Sequence, residues 1–172
     1  MDLIVTGAGE ARWGERRWRC AIGPAGIAAE KREGDGTTPA GRFAIRRLLY
    51  RPDRLPPPPT GLSLLPLSPL DGWCDDPADP LYNRPVRLPY RARHERLWLE
   101  SAVYDLIVLL GHNDDPVRPG AGSAVFLHVA RPDYSPTGGC IAIAKPDLMA
   151  MLATAGPGDC VAVVSGENAR LR

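Results

Sequence analysis

The chain has 172 residues with 21 basic and 20 acidic side chains, a net charge of +1, so electrostatics predicts neither a nucleic-acid partner nor an anionic membrane surface. Hydrophobic residues make up 44%, yet the longest apolar runs, such as residues 106–110, are far too short to cross a bilayer. The length suits one compact domain over 1–172; a monomer is expected, although the sequence leaves the oligomeric state open. The first twenty residues carry seven charged side chains from Asp2 to Arg19 and lack the apolar stretch and cleavage site of a secretory signal. Cys20, Cys74, Cys140 and Cys160 are 54, 66 and 20 residues apart, which matches no CxxC metal clip or redox pair.

Glycine (18) and proline (19) are frequent and scattered, and amphipathic helical periodicity is scarce. This predicts a mainly β fold, a sandwich of short strands joined by many turns. In chain order the strands are expected at residues 3–5, 18–22, 43–49, 97–99, 104–110, 125–129, 141–144 and 160–164. Between residues 51 and 93 the prolines from Pro56 to Pro89 argue against regular ladders. Trp73, Tyr82 and Asn83 favour an ordered excursion over the domain, the kind of loop that forms lids or binding sites. One helix is predicted over 145–155: Pro146 suits its first turn, Asp147 complements its dipole, Leu148, Met149, Met151 and Leu152 give an apolar stripe, and Gly156-Pro157 stops it.

The stretch that carries chemistry begins at Val125-Phe126-Leu127-His128, an apolar strand bearing a histidine, and ends at Thr137-Gly138-Gly139-Cys140-Ile141. The two functional residues lie 140 − 128 = 12 positions apart, and the prolines, glycines and Asp133 between them allow a hairpin-like return. An imidazole that accepts the thiol proton raises the fraction of nucleophilic thiolate. Glycine before the cysteine lets the Gly139 and Cys140 amides turn toward a developing oxyanion.

Thr137-Gly138-Gly139-Cys140-Ile141 resembles the [ST]-x-G-C-[VI] signature of the L,D-transpeptidase catalytic (YkuD) domain, with His128 in the place of that family's histidine. Far upstream, residues 35–43 are similar to its D-G-x-T-P-x-G-x-[FY] segment, and residues 158–163 to its closing G-D-x-V-x-V strand. The resemblance runs from Gly34 to Val164. It implies a β-sandwich enzyme without metal or organic cofactor, acting on peptidoglycan stem peptides: Cys140 attacks the carbonyl of a diaminopimelate residue, expels the terminal D-alanine, and passes the acyl group to an amine. Carbapenems are the implied inhibitors, and the cell envelope is the implied location, with the cytoplasm as alternative because no export signal is readable. The pattern departs from the family at His128-Val129, where the family has His-Gly, at Ala142, where it has Arg, and in the short interval between histidine and cysteine. The match is therefore to a divergent branch.

The expected roles are Cys140 as nucleophile, His128 as base and then acid, and the Gly139 and Cys140 amides as oxyanion hole. Thr137, which also supports the loop, Gly138, His112, Trp73, Tyr82 and Arg131 are candidate substrate contacts. A backbone carbonyl is the expected partner of the His128 ring, ahead of Asp133. Rival readings are an L,D-carboxypeptidase on the same site, a zinc centre formed by His112, His128 and Cys140, and an inactive wall-binding domain.

Overall fold

The computed structural model describes residues 1–166. It is mainly β, with strands β1 (Asp2–Thr6), β2 (Glu10–Trp13), β3 (Arg16–Ala21), β4 (Ile27–Ala28), β5 (Thr38–Pro39), β6 (Gly41–Tyr50), β7 (Leu64–Pro66), β8 (Asp71–Cys74), β9 (Pro85–Arg87), β10 (His94–Arg96), β11 (Leu106–Leu110), β12 (Phe126–Val129), β13 (Ile141–Ile143) and β14 (Cys160–Val164). The described residues contain one α-helix, α1 (Lys145–Leu152), which begins with Pro146 in its first turn as expected and is three residues shorter than predicted.

The main sheet runs β11-β12-β13-β3-β2-β1-β14-β6-β7, and β6 also pairs with β11. The expected two-faced sandwich is thus refined to a sheet that curls back on itself in barrel fashion, which leaves few unpaired edges. The long strand β6 makes this possible: its first half pairs with β14, and its second half pairs with β11 across a register shift at Leu109/Leu110. Alternating side chains of β1 bury Leu3 and Val5, and the all-apolar β13 buries Ile141, Ala142 and Ile143. These join Leu48, Leu106, Leu127 and the α1 residues Leu148, Met151 and Leu152 in one core, where each buried aliphatic side chain contributes roughly 1.5–3 kcal/mol.

The strand expected at 97–99 lies instead at His94–Arg96, with Leu97 buried just beyond it. β2 was not predicted; its Glu-Ala-Arg-Trp run is too short for a clear alternation, and the turn at Gly14 (φ +59°) fixes its hairpin with β3. The proline-rich excursion is ordered and does carry ladders: β10-β8-β9 form a small sheet of their own, and β7 lies parallel to β6. Pro85 and Pro66 sit at strand ends, where a missing N–H costs little.

The excursion is fastened to the barrel by charge and stacking. Arg51, 3% exposed, forks onto Asp53 at 2.9 and 3.0 Å, donates to the Leu99 carbonyl, and lies 3.7 Å over the Trp98 ring. Asp105 accepts from Arg54 at 2.7 Å and from Lys145 of α1 at 2.9 Å. The return of the excursion is thereby tied to both β6 and the helix.

Candidate active site

The parallel pairing of β12 with β13 sets Leu127 opposite Ile141 and His128 opposite Ala142. The predicted hairpin-like return is therefore corrected: residues 130–140 carry the chain back to the same end of the sheet, a crossover that parallel strands require. Cys140, one residue ahead of β13, is offset by two positions from the partner of His128. A two-residue offset across one interstrand gap corresponds to roughly 8 Å between Cα atoms, within reach of the two side chains. Both line one cavity of about 280 Å³.

Cys140 is 8% exposed at the base of that cavity. Its thiol donates to the Ala124 carbonyl at 3.0 Å, and the Phe126 amide points at the sulfur from 3.4 Å. Ala124 holds a left-handed backbone (φ +50°), a conformation that costs a non-glycine residue about 1–3 kcal/mol and survives only where neighbours enforce it. Asn83 does the enforcing. Buried inside the excursion, it accepts the Ala124 amide at 3.1 Å and the Trp73 indole N–H at 2.9 Å, and donates to the carbonyls of His112 and Asn113 at 3.1 and 2.7 Å.

His128 is also buried, with Nδ1 2.9 Å from the Val129 carbonyl, the backbone partner that was expected. A proton on Nδ1 leaves Nε2 as the basic nitrogen. The Tyr104 ring packs edge-on against the imidazole, with centroids 5.2 Å apart. Asp133 is elsewhere, capping the Ser135 amide at 2.9 Å. Burial pushes the imidazole down to about 4 and the Cys140 thiol up to about 12, the latter assisted by the negative charge of Glu95. Resting Cys140 and His128 are accordingly a neutral pair.

The two separated motifs meet at the nucleophile loop. Asp35 accepts the Thr37 amide and hydroxyl at 2.9 and 2.8 Å, the Arg32 amide at 2.7 Å, and Lys31 at 2.5 Å. Burial opposes ionisation of Asp35, but these donors hold its carboxyl well below the usual range. The turn so formed presents the Thr37 carbonyl to Gly139, where an added Cβ would lie 2.7 Å from that oxygen, and Gly139 is held at φ +127°. Thr137 Oγ1 donates to the Cys140 carbonyl at 2.6 Å and accepts the Gly139 amide at 3.1 Å. This corrects one expectation: the Gly139 amide is already engaged by Thr137, and of the two amides only that of Cys140 is uncommitted to a side chain.

Of the sequence-predicted contacts, Thr137, Gly138 and Arg131 line the cavity with His128 and Cys140. Trp73, Tyr82 and His112 do not line it. Trp73 stacks edge-on against Phe126 at 5.1 Å and bonds Asn83. Tyr82 is buried with its hydroxyl 2.5 Å from Glu33, and His112 bonds the Ala121 carbonyl at 3.1 Å. All three buttress the wall from behind. Among the described residues, no three His, Cys, Asp or Glu side chains are grouped as metal ligands would be.

The other lining residues were not predicted: Glu33, Ser123 and Ala124 on one side, and Asp75, Glu95, Leu99, Val103 and Tyr104 from the excursion and its return. Glu95 sits within Arg91-Ala92-Arg93-His94-Glu95-Arg96, a charge run that reads as solvated surface. Only the pairing of β10 with β8 turns Glu95 inward, opposite Trp73.

The fold is thus a mainly β domain that sets a buried cysteine and a histidine in one cavity, with a glycine-turned loop leading into the cysteine. The family model of the YkuD L,D-transpeptidase catalytic domain matches residues 7–163, and the chain belongs to that family. Members are cysteine-dependent L,D-transpeptidases acting on peptidoglycan. Comparison with curated proteins and with solved structures returned no match.

Proposed function

We propose that the chain, as one catalytic domain and as a monomer, is a peptidoglycan L,D-transpeptidase of the cell envelope. The observation that carries this is the shared cavity of Cys140 and His128 within a chain of this family. With a thiol near 12 and an imidazole near 4, a standing thiolate–imidazolium pair is unfavourable, so proton transfer accompanies attack. The Cys140 sulfur bonds to the carbonyl carbon of the donor's diaminopimelate residue while His128 Nε2 takes the thiol proton. The Cys140 amide supports the resulting oxyanion, and the Phe126 amide, already 3.4 Å from the sulfur, stabilises developing charge there. His128 then returns the proton to the departing D-alanine nitrogen as the carbon–nitrogen bond breaks. In the second half the acceptor amine attacks the thioester, loses a proton to His128, and releases the Cys140 thiol.

Incubating the protein with a tetrapeptide muropeptide tests this reading. Cross-linked dimers with release of D-alanine are expected. Free tripeptide alone makes water the acceptor and the protein an L,D-carboxypeptidase, while unaltered tetrapeptide contradicts acyl transfer.

A further inference from the structure

Two cavity carboxylates form no ion pair among the described residues. Glu95 accepts a hydrogen bond from the Tyr104 hydroxyl. Glu33 accepts from the hydroxyls of Tyr82 at 2.5 Å and Ser123 at 2.7 Å. Lys31 pairs with Asp35 at 2.5 Å and Arg93 with Asp75 at 3.0 Å, while Arg131, which lines the same cavity, pairs with neither carboxylate. Carboxylates withdrawn from water are ordinarily neutralised by a partner. These two instead face the cavity that holds the Cys140 sulfur, oriented by hydroxyl groups that carry no charge.

We propose that Glu95, with Glu33 beside it, is the counter-charge for a primary ammonium group on the acyl donor, such as the side-chain amine of diaminopimelate, and so selects donors that carry that amine free. This rests on the acyl-transfer reading of the same cavity. The position also couples binding to reactivity. The titratable and charged groups that share the cavity with Cys140 are His128 from β12, Tyr104 before β11, Arg131 after β12, Glu95 from β10, Glu33 and Asp75, with Lys31 beside the Asp35 turn also acting on the thiol. After burial itself, Glu95 is the foremost influence holding the thiol proton on. An ammonium docked against Glu95 cancels that charge, so the correct donor lowers the cost of forming thiolate at the moment it arrives. Glu95, pushed up to about 7 chiefly by burial, is ionised more fully once the ammonium is in place.

The test compares two tetrapeptide donors, one with the diaminopimelate side-chain amine free and one with it acetylated, binding to the Cys140→Ala protein by calorimetry. A preference of about tenfold or more for the free amine is expected, as close charge pairs at recognition sites supply. Glu95→Gln combined with Glu33→Gln should reduce the ratio to near one. Equal binding of the two donors by the otherwise unaltered Cys140→Ala protein overturns the proposal, and needs no further variant to fold. Acylation of the wild type is measured in parallel. An amine preference without acylation removes the transpeptidase reading and leaves the subsite standing, whereas acylation without preference does the reverse.

Discussion

The cavity has two walls of different construction. One is the sheet: His128 on β12 and Cys140 leading into β13 are placed by a strand register that is buried and apolar on every side. The other is the excursion between β6 and β11, which brings Asp75, Glu95, Leu99, Val103 and Tyr104 to the same space on short ladders, turns and side-chain hydrogen bonds. The first wall fixes the reacting atoms, since slipping a strand by one residue would turn every side chain to the opposite face. The second can change its lining without disturbing that register, which suits a surface that chooses substrates. Substitutions should separate the two, with those in the sheet removing chemistry and those in the excursion changing stability, affinity or pH response.

The largest effect is expected at His128. His128→Ala should lower the acylation rate by about 10²–10⁴-fold, measured in single turnover, while melting remains cooperative. A loss below tenfold would move the base to another residue.

Next is Asn83, which joins the walls through Trp73, Ala124 and the His112–Asn113 turn. Asn83→Ala leaves several buried groups unpaired and should cost about 3 kcal/mol in urea unfolding. Because it releases the Ala124 backbone beneath the sulfur, it should also slow acylation in the fraction that remains folded. Unchanged stability would mean that Asn83 does not fasten the excursion to the sheet.

Gly139→Ala should cost about 1–3 kcal/mol from the left-handed backbone alone, with added displacement of the Thr37 carbonyl, 2.7 Å from the new methyl. Denaturant midpoints and acylation rates should fall together.

The smallest net effect, because two opposed titrations nearly cancel, distinguishes the walls by pH. The folded-state pKa of His128 is depressed to about 4 by burial, so its contribution is present above about 6.5 and is lost as pH falls toward 4, up to about 3 kcal/mol in all. Glu95 has the opposite sign: its folded-state pKa is raised to about 7 by burial, so its contribution is present below about 4.5 and is lost as pH rises through 7. Between pH 4.5 and 6.5 the two offset each other. Glu95→Gln leaves the histidine unopposed, and its Tm should climb across that window more steeply than that of the wild type. Parallel Tm profiles would contradict the assignment.

The same division explains what was legible in the sequence. His128 and Cys140 could be found because a histidine in an apolar strand and a cysteine after two glycines are local patterns, and the D-G-T-T-P segment, which shapes the turn against Gly139, is local as well. Leu3, Val5 and the residues of β14 likewise reveal themselves by alternation or an unbroken apolar run. The excursion hid its contribution. Trp73 and Tyr82 looked like binding aromatics, yet their N–H and O–H groups are used on Asn83 and Glu33. Glu95 and Glu33, which do face the cavity, stand in charged runs with no periodic signal. Side chains placed by tertiary pairing rather than by their own segment's pattern leave no short-range trace.

Intact-mass spectrometry after exposure to a carbapenem, followed by peptide mapping, tests the central claim most directly. One equivalent of adduct on the peptide containing Cys140, absent in Cys140→Ala, is the predicted result. A wild-type protein that stays unmodified, or an adduct on Cys20, Cys74 or Cys160 in its place, would contradict the assignment of Cys140 as the acyl-accepting nucleophile.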